Sequence, residues 1–345
     1  MGNGLKGGLG DPLEEPLPLR HRGQFRVGAV SVQLASDHSA DVELGAALEP
    51  FRVEGGGSDI DIRVAWVSEL HSPKVPRLFD SGSTWRLYEK EDGFQFDFVA
   101  AIFGEHPIKR LLIDRRFREA NLQMNGRFFA DRPCRPLPLG YPLDELLIMH
   151  RLTQERAIEL HGVGIVGPDG IGNLFVGHSG AGKSTTARLW TSLHDVEILS
   201  DDRIIVREDL VREDPVREDL VREDSSQDDR AVLQLAEQDK AKRGRGGMRM
   251  YGTPWHGEAH FALPQRAPLQ RIFVLEHGQD NVLTRLTRSQ VVGELFARSF
   301  VPFHRHEYVD SALSFLERVA DTVPCYRYSF EPDERAVEKL LGFRD

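Results

Sequence analysis

The sequence predicts an α/β phosphate-loop domain placed behind a strand-rich N-terminal region. Three observations carry this. The segment Gly177-His178-Ser179-Gly180-Ala181-Gly182-Lys183-Ser184 matches G-x-x-x-x-G-K-[ST] in full. The apolar run Leu174-Phe175-Val176 leads into it, and a helical pattern leaves it. Residues 24–125 fall into short runs that alternate with period two. At average residue usage the loop pattern arises by chance in roughly one chain in a hundred of this length.

Taken in order, residues 1–23 are rich in Gly and Pro with scattered acids and read as a disordered leader. They lack the apolar centre of a signal peptide. Residues 24–136 form the strand-rich region, with 25–32, 60–64, 85–88 and 94–98 alternating and the turn Glu91-Asp92-Gly93 between two of them. Nothing in this region points to chemistry. Pro138, Gly140 and Pro142 punctuate the chain before a helix over 143–154. Strands follow over 157–166 and 173–176, joined by the turn Gly167-Pro168-Asp169-Gly170. After the loop comes a helix over 183–193, then a strand over 197–200 that ends in Asp201-Asp202, and a further strand from Arg203 to Val206.

Val-Arg-Glu-Asp then recurs at Val206, Val211, Val216 and Val221. A five-residue period matches neither a strand nor a helix face, and Pro215 breaks any helix, so the segment reads as a solvated surface loop over 207–247. Lys240, Lys242, Arg243 and Arg245 extend it. Residues 271–276 make a buried strand, 290–300 and 311–319 helices, 325–330 a strand and 332–341 a closing helix.

The 345 residues are 40% apolar and 28% charged, with a formal charge of −10, which argues against a chain-wide nucleic-acid surface. Cys134 and Cys325 lie far apart, so neither a zinc cluster nor a disulfide scaffold is expected. No stretch is long and apolar enough for a membrane span. The expected setting is cytoplasmic.

The loop's glycines let backbone N–H groups face a phosphate chain, and the helix start adds partial positive charge. Lys183 is expected to neutralise β- and γ-phosphates and Ser184 to ligate Mg²⁺. Asp201 and Asp202 end a strand eighteen residues past Lys183. One carboxylate there can hold Mg²⁺ and the other can accept a proton from an attacking hydroxyl; the sequence leaves open which does which. His161, in Leu160-His161-Gly162, is on spacing alone a strand histidine.

His161-Gly162, the loop through Ser184-Thr185, and Ser200-Asp201-Asp202-Arg203 together resemble the catalytic domain of HPr kinase/phosphorylase and HPr-kinase-related proteins. The resemblance spans residues 143–341, with its motifs between His161 and Arg203. It implies a phosphate-loop kinase domain related to ATP-dependent phosphoenolpyruvate carboxykinase over 137–345, and transfer of the γ-phosphate of ATP to a serine hydroxyl. It implies a nucleotide site made of Gly177, His178, Ser179, Gly180, Ala181, Gly182, Lys183, Ser184 and Thr185. It implies catalytic roles for Lys183, Asp201, Asp202 and, as neighbour of the base, His161, with Ser184 and Asp202 on Mg²⁺. The family's segment E-[IL]-R-G-[IL]-G is replaced here by Met250-Tyr251-Gly252-Thr253-Pro254-Trp255-His256-Gly257-Glu258. That departure leaves HPr itself as acceptor, and the reverse phosphorylase reaction, open.

The segment 253–258 reads either as a turn anchored by a buried Trp255 or as an acceptor loop bringing His256 or Glu258 to the phosphate. Arg305, in His304-Arg305-His306, is read as a solvated loop residue ahead of a phosphate-facing one. The expected cofactors are ATP and Mg²⁺, and the expected partner is a protein or peptide bearing a serine, with homo-oligomerisation left open. The rival readings are a small-molecule (free serine-type) kinase and a non-catalytic nucleotide-binding regulator. A carboxykinase lacks a lysine to partner His161, and an ATPase coupled to movement lacks an evident arginine finger.

Overall fold

A computed structural model describes residues 19–130, 136–193, 195–209 and 247–343. The leader up to residue 18, Cys134, the repeats beyond Asp209 and the basic run at Lys240–Arg245 lie outside the described residues.

The first apolar run folds back on itself. β1 (His21–Val27) and β2 (Val30–Ser36) pair antiparallel with Val27 opposite Val30. Gly28 and Ala29 between them both take positive φ, 57° and 64°. That is the backbone of a two-residue hairpin turn, so residues 25–32 are two strands rather than the single one their alternation suggests. Then come β3 (Ile60–Val67), β4 (Phe79–Asp80), β5 (Trp85–Lys90), β6 (Gly93–Val99), β7 (Pro107–Asp114) and β8 (Glu119–Asn125). They complete an eight-stranded sheet in the order β1-β2-β3-β8-β7-β6-β5-β4. Two short elements follow, α1 (Gly126–Phe129) and α2 (Leu143–Leu152).

The second sheet is assembled from β9 (Ala157–Val166), β10 (Gly172–Val176), β11 (Glu197–Ser200), β12 (Arg203–Glu208), β13 (Met248–Tyr251), β14 (Arg266–His277), β15 (Val282–Arg285), β16 (Ser299–Phe300) and β17 (Cys325–Phe330). Its helices are α3 (Lys183–Leu193), α4 (Arg288–Phe296), α5 (His306–Thr322) and α6 (Glu334–Leu341).

The expected α/β class is corrected by this arrangement. Among the described residues 38% are strand and 24% helix. β10-β9-β12-β13-β14 run in order and β14 pairs back onto β10, which closes a five-stranded barrel. Within the second sheet β9 pairs antiparallel with β10, β11, β12 and β16, and the parallel pairs are β10–β14 and β14–β17. An α/β phosphate-loop kinase fold requires a parallel sheet built from β–helix–β crossovers. Here a short hairpin carries β9 into β10, and β11 and β12 follow one another along β9 with no helix between them, so the strand-loop-helix signal at the phosphate loop is local and does not propagate to the sheet.

The two strand-rich regions share one core. Phe25, Leu34, Ile62, Phe96 and Leu122 of the first sheet cluster with Leu146 and Leu147 of α2 and with Ile205, Tyr251 and Trp255 of the second. His150 of α2 is fully enclosed, its ring stacked on Phe117 at 4.7 Å and edge-on to Phe96 at 5.3 Å. His304 lies 5.2 Å from the same ring, so this aromatic seam joins the two sheets. Among the described residues no helix is long and apolar enough to cross a membrane.

Candidate functional site

Strand register brings the sequence motifs together. β9 is the pivot: Gly162 pairs with Val176, the last residue of β10, and His161 pairs with Arg203, the first of β12. The phosphate loop therefore starts, and the acidic strand end turns, on opposite sides of the same two residues. Gly162 is required by this closeness, since a Cβ there would lie 2.9 Å from Phe175 O and 3.0 Å from a Leu174 methyl.

Gly180 and Gly182 take φ of 79° and 96°, the left-handed conformation that turns the loop. A Cβ on Gly182 would also meet the Phe330 ring at 2.8 Å. His277, at the end of β14, donates from Nε2 to Gly180 O at 2.6 Å and clamps the loop to the sheet. α3 leaves the loop at once: Thr186 N and Oγ1 both reach Gly182 O, at 2.8 and 2.9 Å. Lys183 is folded under the loop and donates to Gly177 O at 3.0 Å and His178 O at 3.1 Å. Ser184 is half-buried, while His178, Ser179, Gly180 and Thr185 are exposed and Ala181 is half-buried.

The two aspartates diverge. Asp201 is buried, and its carboxylate accepts from Gly257 N at 3.0 Å, Ala259 N at 2.8 Å and Phe261 N at 3.2 Å. It anchors the 257–261 loop. Asp202 instead faces the open side, where His161 Nε2 stands 2.9 Å from its Oδ1 and Arg203 bonds its Oδ2. Of the pair, Asp202 is thus the carboxylate gathered with His161 and Lys183, and Asp201 supports the loop beside it.

No family model matches the chain, and none of the curated proteins matches it.

Arg203 is shared among acids. Its Nε is 2.9 Å from Glu145 and 3.5 Å from Glu159, and its guanidinium lies 3.9 Å from the centre of the Phe300 ring. Burial, with the neighbouring Glu145 charge, raises fully enclosed Glu159 well above the usual carboxylate range. Burial also pushes Asp202 up, but the His161 bond and the Arg203 and Lys183 charges outweigh it and hold Asp202 below its ordinary value. Burial lowers the Lys183 ammonium, with further lowering from Arg203 and Arg298. The ionised Asp202 thus stands beside the Arg203 and Lys183 charges, which is a setting for an anionic ligand.

In the segment 253–258 the reading as a turn anchored by a buried Trp255 holds. Trp255 is buried and its Nε1 donates to Asp144 of α2 at 3.2 Å. Thr253 Oγ1 donates to Arg203 O at 2.8 Å. His256, Glu258 and His260 at its far end are exposed, with the two imidazoles 4.6 Å apart. Gly257 lies against both aspartates: a Cβ there would be 2.9 Å from Asp201 Oδ2 and 3.3 Å from Asp202 Cβ. Arg305 is engaged by Glu307 and Glu89 instead of the loop.

Two residues escaped the sequence reading. His277 carries no motif and is recognised only once β14 is known to run parallel to β10. Arg298 follows α4 and reaches the loop with Nη2, 2.9 Å from His178 Nε2. A cavity of about 830 Å³, lined by Gln33, Asp61, Arg63 and Asp114 among others, sits on the first sheet and includes no residue of this site. Glu69, His71 and His106, also of the first sheet region, place ligand atoms within 4.8 Å of one another, with Glu69 paired to Arg127.

Proposed function

We propose that the protein is an ATP-dependent kinase that transfers the γ-phosphate to a hydroxyl, most simply a serine of a protein or peptide. The observation that carries this reading is the ionised Asp202, bonded by His161 at 2.9 Å and within the electrostatic reach of the Lys183 ammonium. The residues fit ATP with Mg²⁺. The loop has the left-handed glycines and helix start that a phosphate chain needs, and the lysine beneath it is buried against loop carbonyls from which a phosphate can draw it.

Lys183 and the loop N–H groups would hold the phosphates, and Ser184 and Asp202 would hold the metal. Mg²⁺, when bound with the nucleotide, supplies neutralisation of phosphate charge. Asp202 accepts the proton of the acceptor hydroxyl or aligns it, and His161 fixes the carboxylate's orientation. Arg203 keeps that carboxylate charged. The rim next to Asp202, with His256 and Glu258 exposed on either side of Gly257, is where an acceptor segment would lie. Catalysis of this kind is positioning plus charge neutralisation. The setting that provides ATP and keeps a buried thiol such as Cys325 reduced is the cytoplasm.

The test is incubation of the purified chain with γ-labelled ATP and Mg²⁺ against serine-containing peptides and cell extract, beside Lys183→Ala. Label on a peptide or protein that disappears in the variant supports the kinase. Nucleotide binding with no transfer to any acceptor supports the non-catalytic regulator instead.

A further inference from the structure

Arg298 is a charged side chain in an enclosed place, with a relative exposure of 6%. Its main chain is fixed on both sides. Arg298 N donates to Leu295 O at 3.1 Å, and Arg298 O accepts from His161 N at 2.8 Å. Its Nη1 donates to Glu294 O at 2.7 Å and Glu294 Oε2 at 2.6 Å. Glu294 is bonded in turn by Arg327 at 2.7 Å, and Arg327 also pairs with Glu276 at 2.9 Å, so Glu294 is held between two guanidinium groups. The free edge of Arg298 points at the phosphate loop. Nη2 meets His178 Nε2, and Nε finds no hydrogen-bond partner among the described residues.

That arrangement is poorly matched as it stands. A buried guanidinium with a spare N–H, aimed at an imidazole nitrogen, forms far weaker bonds than it would with an anionic oxygen. Arg298 is also close enough to Lys183 for the two charges to oppose each other. Its carbonyl bonds the backbone of His161, whose side chain holds Asp202, so Arg298 stands on the reacting side of the loop.

We propose that Arg298 is an arginine supplied in cis to the terminal phosphate of a bound nucleoside triphosphate, with His178 occupying its free edge until that phosphate arrives. The inference rests on the nucleotide-binding reading above. It assigns to Arg298 the part of an arginine finger: it stabilises the charge on the transferring phosphoryl oxygens, and Glu294 holds its plane in place.

The experiment uses the full chain as wild type, Arg298→Gln and Arg298→Lys, titrated separately with Mg·ATP and Mg·ADP, with ligand-free melting curves for each. The expected result is a loss of ATP affinity of about tenfold or more in Arg298→Gln. ADP affinity changes much less, and Arg298→Lys is intermediate. Phosphoryl transfer falls by ~10³-fold or more in Arg298→Gln. Equal weakening of ATP and ADP, or no weakening of either, overturns the assignment. If Arg298→Gln melts before it can be titrated, the ATP-to-ADP ratio in Arg298→Lys decides in the same way. A wild-type chain that binds neither nucleotide overturns the phosphate-loop reading itself, which is a different result from a ratio that Arg298 does not alter.

Discussion

Adjacent residues of one chemical type do different work here. Asp201 and Asp202 are neighbours where β11 passes into β12 along β9, and their side chains take different partners. Asp201 takes three backbone N–H bonds from the 257–261 loop, and Asp202 takes the His161 ring. Charge-assisted bonds of this kind contribute about 1.5–3 kcal/mol each. Asp201→Ala is therefore expected to lower stability by several kcal/mol, visible as a reduced melting temperature and faster proteolysis within the loop. Asp202→Asn keeps its backbone bonds and melts close to the wild type. A pair of melting curves in which the two variants fall together would contradict the division. The sequence showed that an acidic pair belonged beside the loop. It could not show which acid faced in, because that depends on where a loop more than fifty residues later returns.

Elements were more legible than their arrangement. The helix after the loop and β17 have the bounds that their patterns predict, and β9 does too. The hairpin at Gly28-Ala29 was hidden because Ala at positive φ leaves no Gly-Gly or Asn-Gly signature, and two antiparallel strands with an even turn keep the alternation in phase. Helix α5 is longer than the run that announced it, starting at His306. The mixed barrel could not be read at all: pairing between β10 and β14 spans nearly a hundred residues, and no local pattern encodes it. His277 and Arg298 came with that arrangement. The critical contact is Gly162 under β10. Gly162→Ala sets a Cβ 2.9 Å from Phe175 O and 3.1 Å from a Val176 methyl, immediately before the loop. Overpacking of this size costs typically 1–3 kcal/mol. The variant is expected to melt lower and to bind ATP more weakly, whereas ATP binding at wild-type strength would contradict the pivot role of β9.

At the scale of the whole molecule, the strand-rich N-terminal region reads in sequence as a separate unit but shares its core with the second sheet through α2, Tyr251 and Trp255. The aromatic seam has a pH consequence. Burial lowers His150 from 6.5 to about 3, and burial with the Arg305 charge lowers His304 from 6.5 to about 4. In the unfolded chain both rings protonate near 6.5, so below that pH the unfolded state binds more protons and stability falls. The loss begins as pH drops through about 6.5 and continues toward the folded values, with a slope of about 1.4 kcal/mol per pH unit for each ring. His150→Phe is expected to flatten part of this slope in denaturant titrations between pH 7 and 5. An unchanged slope would show that the seam does not control it. Both sheets should lose structure in one transition across this range, since neither encloses Trp255 alone.

The central claim is that Asp202, oriented by His161 and held charged by Arg203 and Lys183, serves phosphoryl transfer from a nucleotide on the phosphate loop. The most direct measurement compares ATP binding and label transfer in the wild type and Asp202→Asn. The account predicts that the variant still binds the nucleotide while transfer to a serine falls ~10²–10⁴-fold. Transfer at the wild-type rate in Asp202→Asn would contradict it.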